Sequence, residues 1–139
     1  MRRRIVPDVI RNQDVLQLPG TASVFDACRA MKLRHVGCVL IAEQDRLAGI
    51  FTERDVVNRV VAEGLDPQTT TLARVMTPDP DTVTPDCAPI EALRMMHDRG
   101  YRHLPVVAEG RVVAVVSRRD FHGDEKSRLE DETRYWEKI

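Results

Sequence analysis

No apolar run in this chain approaches the ~20 residues that cross a bilayer. Arg2, Arg3 and Arg4 lead into Ile5, Val6, Pro7 and Asp8 rather than into a long apolar stretch, which is not the pattern of a secretory leader. No membrane association is expected, and the default location is the cytoplasm. An excess of either charge is also missing: 21 basic and 22 acidic residues leave a formal net charge of −1, so nothing electrostatic points to nucleic acid as a partner. Cysteine is scarce. Cys28, Cys38 and Cys87 are odd in number and widely spaced, which favours buried free thiols over a disulfide or a metal site. None of the four histidines (His35, His97, His103 and His122) is placed by sequence next to a plausible Ser or Cys pair. No nucleophile with an oriented base is assembled, so neither catalytic residues nor a metal are expected and the chain is read as a non-enzyme.

What is present is a soluble-type composition, 42% hydrophobic and 31% charged, over 139 residues, about one ordinary domain. Its organising stretch is 47–55. Leu47, Ala48, Ile50 and Phe51 make a short buried strand, and Thr52 followed three residues later by Asp55 is a helix-start signature. Such a helix presents free N–H groups and a positive dipole end at the end of the strand, which suits an anion such as a phosphate. The pattern recurs: Ser117 lies 65 positions after Thr52, and Asp120 lies 65 after Asp55. With the same offset Ala27 falls on Ala92, Met31 on Met96, Arg34 on Arg99, Arg46 on Arg111 and Arg54 on Arg119. No gap is needed, so the chain is an internal duplication of two small halves, neither expected to be stable alone.

Ile5, Val6, Val9 and Ile10 are spaced for one face of a short helix interrupted by Pro7, with Val15 and Leu16 as a first strand. A helix follows over 23–33, with Val24, Ala27, Cys28 and Met31 as its buried stripe and Thr21 and Ser23 as capping candidates. Residues 37–42 and 47–51 make a hairpin. The helix opened at Thr52 carries Val56, Val57, Val60 and Val61 on one face and stops near Gly64, and residues 72–75 form a further short helix. The second half repeats the order: a strand over 81–83, a helix over 88–99 with Ile90, Leu93 and Met96 inward, and strands over 103–107 and 112–116. It ends differently, because His122-Gly123-Asp124 follows Phe121 almost at once and keeps the last helix short or kinked. The charged segment 125–139 places Leu129, Tyr135, Trp136 and Ile139 along an apolar edge if it is helical.

With the duplication and both strand-to-helix turns in place, the chain resembles a tandem pair of CBS domains, known as a Bateman module, and is similar to small bacterial proteins made of one such pair. The resemblance covers residues 8–121. It rests on Gly49-Ile50-Phe51-Thr52-Glu53-Arg54-Asp55, Val75-Met76-Thr77-Pro78-Asp79-Pro80, Arg102-His103-Leu104-Pro105-Val106-Val107 and Ser117-Arg118-Arg119-Asp120. It implies an α/β (α+β) class, with two β-α-β-β-α repeats packed sheet to sheet as a flat pseudo-two-fold module that has two clefts. The divisions implied are repeat 1 over 8–66, a linker over 67–74, repeat 2 over 75–122 and a charged helical tail over 123–139.

The resemblance also implies an adenosyl ligand: AMP, ADP, ATP, S-adenosylmethionine or NAD. The family's hydroxyl and Asp three positions apart are matched by Thr52/Asp55 and Ser117/Asp120. A carboxylate accepts both hydroxyls of a ribose, while the hydroxyl and backbone N–H groups meet a phosphate. The same residues serve equally as helix caps that need no ligand. In this family each cleft draws on the opposite repeat, which assigns Thr77, Thr82, Tyr101 and Arg102 to Asp55, and Asn12, Gln17, Val36 and Gly37 to Asp120. Arg102 and His103 stand where Gly37 and Cys38 stand in repeat 1, so basic groups enter from one side only; Arg54, Arg118 and Arg119 either add charge at the mouths or are ordinary surface charge beside Glu53 and Asp120. Ala114 replaces the glycine found at Gly49, and its methyl group is expected to crowd a close approach of backbone or ligand. The function implied is a regulatory nucleotide-sensing module acting on an unidentified effector protein. The alternative is a structural dimerisation or adaptor domain with vestigial clefts. A homodimer is expected in either case, because Phe25 and Leu33 lie off the buried stripe and would be left to water in a monomer.

Overall fold

Two antiparallel hairpins frame the computed structural model, which describes residues 2–11, 13–121, 123 and 126–130. In chain order the elements are β1 (Gln17–Leu18), α1 (Val24–Arg34), β2 (Cys38–Glu43), β3 (Arg46–Thr52), α2 (Glu53–Asp55) running into wide turns over Val56–Val61, α3 (Leu72–Val75), β4 (Thr77–Pro78), α4 (Pro89–Arg99), β5 (His103–Ala108), β6 (Arg111–Ser117) and a 3-10 turn, Arg118–Asp120. The class is mixed α/β, as the pattern implied. Both hairpins close through two-residue turns with positive φ at each central residue, 53° and 64° at Gln44 and Asp45, 54° and 80° at Glu109 and Gly110. That geometry matches the natural twist of paired strands. Both also carry a bulge at the same repeat position, Ile41/Ala42 and Val106/Val107. The Ser23 hydroxyl caps α1 by accepting from the Asp26 N–H, whereas α4 has no side-chain cap and starts with Pro89, whose missing N–H needs none.

The chain divides into two compact units, and these do not follow the order of the sequence. The first is Asp14–Pro80; the second joins Met1–Gln13 to Asp81–Ile139. In the first, β1 to β4 form a sheet in that order, and α1 with Val60, Leu72 and Val75 buries Val39, Ile41 and Phe51. In the second, α4 packs Leu93 and Met96 against Leu104, Val106 and Val116 of the β5–β6 hairpin.

Each core is closed by a lead-in segment that the duplication assigns to the other half. Residues 70–75 lie 65 positions after 5–10, yet Leu72 and Val75 close the first core while Ile5 and Ile10 close the second. The hydrogen bonds correspond as well. Leu72 and Ala73 donate to the carbonyls of Ala22 and Gly20, and Ile5 and Val6 donate to those of Cys87 and Pro85, which are the same positions one repeat on. Residues 67–74, expected to link the repeats, are thus bonded into the first unit, where Phe25 and Val24 also donate to the carbonyls of Pro67 and Thr70.

Several expectations are corrected. Val57 and Val61 are 59% and 68% exposed rather than inward, because only one i, i+4 pair, Val56 and Val60, can face a core on one side of the hairpin, and the other lies roughly a quarter turn round. The first strand is Gln17–Leu18 rather than Val15 and Leu16. Of 81–83, only Val83 makes a bridge, parallel to Val106. Of the thiols, Cys38 is buried while Cys28 and Cys87 are half-buried, and none of the three is joined in a disulfide. Residues 126–130 are helical and bury Leu129 in the second core; Tyr135, Trp136 and Ile139 lie outside the described residues. Among the described residues no helix is long and apolar enough to cross a membrane.

The lead-in packing makes a direct prediction. Ile5 is fully buried, so Ile5→Ala should destabilise the chain by about 2–5 kcal/mol, the cost of a large aliphatic truncated in a core. Urea unfolding checks this, and a change within experimental error would mean that the segment does not close the second core.

Candidate functional site

The two hydroxyl-to-carboxylate turns stand at the ends of β3 and β6. In the first, the Thr52 N–H donates to Asp55 Oδ2 at 2.9 Å and the Asp55 N–H donates to Thr52 Oγ1 at 3.3 Å. The capping box foreseen as the ligand-free explanation is therefore formed. In the second, the Ser117 N–H and hydroxyl both donate to Asp120 Oδ2, at 2.7 and 3.2 Å. The reciprocal capping box is present in both turns, and the difference is that the Ser117 hydroxyl also gives its proton to its own carboxylate, whereas the Thr52 hydroxyl gives none to Asp55. Each turn is also anchored to the hairpin, since the Glu53 N–H donates to the Gly37 carbonyl at 3.0 Å and the Arg118 N–H to the Arg102 carbonyl at 2.9 Å.

Asp55 has a second partner that its turn does not supply. Arg59 Nε lies 3.6 Å from Asp55 Oδ1, and its Nη1 donates to the carbonyls of Val75 and Met76 at 3.2 and 3.1 Å. Sequence reasoning passed over Arg59, although an acid followed four residues later by a base on one helix is a visible signal. The position 65 after Arg59 is Asp124, so the second turn has no such arginine in its sequence. Gln13 was missed too: its side-chain amide accepts from the Val115 N–H and donates to the Val115 carbonyl, at 2.7 and 2.9 Å. It occupies the strand edge that β4 takes in the first unit, where Thr77 pairs with Ile50.

The expected site residues divide between the units. The first holds Gln17, Val36, Gly37, Thr52, Arg54, Asp55 and Thr77; the second holds Thr82, Tyr101, Arg102, His103, Ser117, Arg119 and Asp120. Asn12 lies outside the described residues. Within the first unit Gln17 and Thr77 sit on opposite edges of the sheet, and Val36 packs on the core. Within the second, His103 pairs with Ser117 across the hairpin, Arg102 and Thr82 are exposed, and the Tyr101 hydroxyl donates to Asp81 Oδ2 at 3.0 Å beside Arg99 Nη1 at 2.5 Å. The crowding at Gly49 comes from the protein itself: a Cβ there would run into Met76 Sδ and meet the Thr77 carbonyl at 2.9 Å. Ala114 carries its methyl group buried inside the second core.

Comparison with known proteins decides the family. The model of the CBS domain matches residues 6–62 and 72–122. The chain belongs to the CBS domain family. It is 43% identical over 122 residues to the CBS domain-containing protein CBSCBSPB3 of Arabidopsis thaliana, covering 87% of this chain and 22% of that protein, so it spans about a fifth of that relative's length. Its fold is similar to the CBS domain protein PAE2072 from Pyrobaculum aerophilum complexed with AMP, with a TM-score of 0.77, 26% identity and coverage of 90% of this chain and 95% of that one. It is also similar to a hexameric CBS-CP12 protein from bloom-forming cyanobacteria, with a TM-score of 0.78, 26% identity and coverage of 86% and 66%. The two CBS matches meet the two hydroxyl-to-carboxylate turns, one in each. Among the described residues no group of three or more His, Cys, Asp or Glu side chains stands together as a metal site would require.

Charge around the second CBS repeat is organised by Asp81. Hydrogen bonds from Arg99 and then Tyr101 hold its carboxyl below the ordinary range, and desolvation followed by the bond to Asp81 pushes the Tyr101 phenol up to about 12. A raised phenol contributes stability that is fully present below the ordinary tyrosine value of 10.0 and is lost as pH rises through about 12. Ultraviolet titration of a Tyr135→Phe variant, which leaves Tyr101 alone, should show ionisation near 12, moving toward 10.0 in Asp81→Ala. A midpoint near 10.0 before that second change would contradict the arrangement.

Proposed function

We propose that this CBS pair is a cytoplasmic regulatory module that binds an adenosyl ligand, AMP, ADP, ATP, S-adenosylmethionine or NAD, at its Thr52/Asp55 and Ser117/Asp120 turns, and passes the result to an effector protein. The observation that carries it is the pairing of a hydroxyl with a carboxylate at the end of β3, with Thr52 left a proton to give. A carboxylate has about four acceptor positions and the box occupies one, which leaves room for the two hydroxyls of a ribose. The AMP complex of the Pyrobaculum relative supports the same ligand class. The role is regulatory rather than catalytic, with ligand occupancy biasing the populations of a two-unit chain. Structural dimerisation with unused turns is the second reading, favoured by the fact that both turns are satisfied as caps without a ligand.

A melting screen separates the two readings, since a ligand at 100 times its dissociation constant adds about 2.7 kcal/mol to the native state. The Asp55 turn is proposed as the stronger, because Thr52 keeps its proton and Arg59 stands beside the carboxylate. Asp55→Ala should cost roughly ten- to hundredfold in affinity, the worth of a charged hydrogen bond, and Asp120→Ala should cost less. Arg102→Ala should weaken ATP more than adenosine, because only ATP offers phosphates to the guanidinium. Calorimetry on the three variants measures all of this, and equal losses from both Asp changes would reverse the ranking.

We further propose a homodimer. Phe25, Leu33, Val57 and Val61 are 38%, 81%, 59% and 68% exposed, all on α1 and the helix that follows β3, and covering them removes apolar surface from water. Sedimentation at tens of micromolar should give a dimer that Leu33→Glu with Val61→Glu converts to monomer. A monomeric wild type would refute the proposal.

A further inference from the structure

Resting on the nucleotide-binding reading of the Asp55 turn, we infer that Arg59 is a positioning residue that ties the Asp55 carboxylate to the segment 75–79, so that a ligand held by Asp55 is felt there. Its guanidinium works in two directions at once. Nε faces Asp55 Oδ1 at 3.6 Å, while Nη1 bonds the carbonyls of Val75 and Met76 at 3.2 and 3.1 Å. Those carbonyls end α3, where the last turn of a helix lacks donors of its own, and a planar fork of five N–H groups can serve both sides without bending either. Asp55 is the more enclosed of the pair, its side chain 16% exposed against 46% for Arg59. The carboxylate is thus held at Oδ2 by the Thr52 N–H and faced at Oδ1 by an arginine whose other end is fixed on the Val75 and Met76 carbonyls.

The segment reached in this way leads out of the unit. From Met76 the chain enters β4, where Thr77 pairs with Ile50 and the Asp79 N–H donates to the Ala48 carbonyl at 3.1 Å. At Asp81 it passes into the second unit. Ribose hydroxyls on Asp55 would add to the bonds that already hold its carboxylate, and through Arg59 would restrain the Val75 and Met76 carbonyls and the strand that follows. The corresponding position of the second repeat is Asp124, an acid with no guanidinium, so the coupling is inferred for the Asp55 turn.

Hydrogen exchange read by mass spectrometry, with calorimetry, tests the coupling on the full chain in the Asp120→Ala background, with AMP as the probe. Without Arg59→Gln, saturating AMP should slow exchange of the 76–79 amides. Arg59→Gln should bind AMP about tenfold more weakly and, resaturated, should no longer slow those amides. Arg59→Lys keeps the charge on a single point donor that cannot span acid and carbonyls; its affinity should stay within about threefold, yet the slowing should be lost, which decides the matter if the Gln variant does not fold. The AMP-dependent difference is the readout that a merely structural arginine would leave unchanged. Equal slowing with Arg59 and without it overturns this inference alone, whereas absence of AMP binding to the wild-type chain overturns it together with the nucleotide reading.

Discussion

In each unit the helix and hairpin share their core with a short segment from elsewhere in the chain, and closing that core is the constraint on which both units depend. That segment is a lead-in with an apolar side chain at either end of one turn: Leu72 and Val75 in the first unit, Ile5 and Ile10 in the second. Small domains bury a smaller fraction of their surface than large ones, so losing one such side chain removes a sizeable part of the stability. Because the lead-in of the second repeat closes the core of the first, and that of the first closes the core of the second, neither repeat as a stretch of sequence is a complete folding unit.

The same arrangement positions the chemistry. Closing the first core brings the end of α3 and the start of β4 against β3, so close that Gly49 has no room for a Cβ beside Met76 and the Thr77 carbonyl. That approach sets the Val75 and Met76 carbonyls within reach of Arg59, and Arg59 beside Asp55. The second unit closes its strand edge with the Gln13 side-chain amide instead of a strand, and the methyl group of Ala114 is accommodated within its core. The two turns match in local sequence and differ in what packs around them. The inequality of the two turns follows from packing as much as from the residues they contain.

Much of this was legible in the chain. The 65-residue offset, both hairpins, the start of α1 at its Ser23 cap and the pairing of Thr52 with Asp55 are encoded within a few residues of one another, through turn geometry, capping and side-chain periodicity. The four valines after Asp55 announced an amphipathic helix, but periodicity names a stripe and not its edge, and Val57 and Val61 fell outside it. Arg59 was visible as the i+4 partner of an acid; its bonds to the carbonyls of residues 16 and 17 positions later were not.

By itself the sequence determined the duplicated order of strands and helices and the hydroxyl-to-carboxylate chemistry of each turn, because those depend on contacts between near neighbours. Only the tertiary structure decided which lead-in closes which core, what crowds Gly49 and which carbonyls Arg59 reaches. The apolar pattern of Ile5 and Ile10 states that they are to be buried, but the surface that buries them is set by the path of the chain through space, which local pattern does not carry.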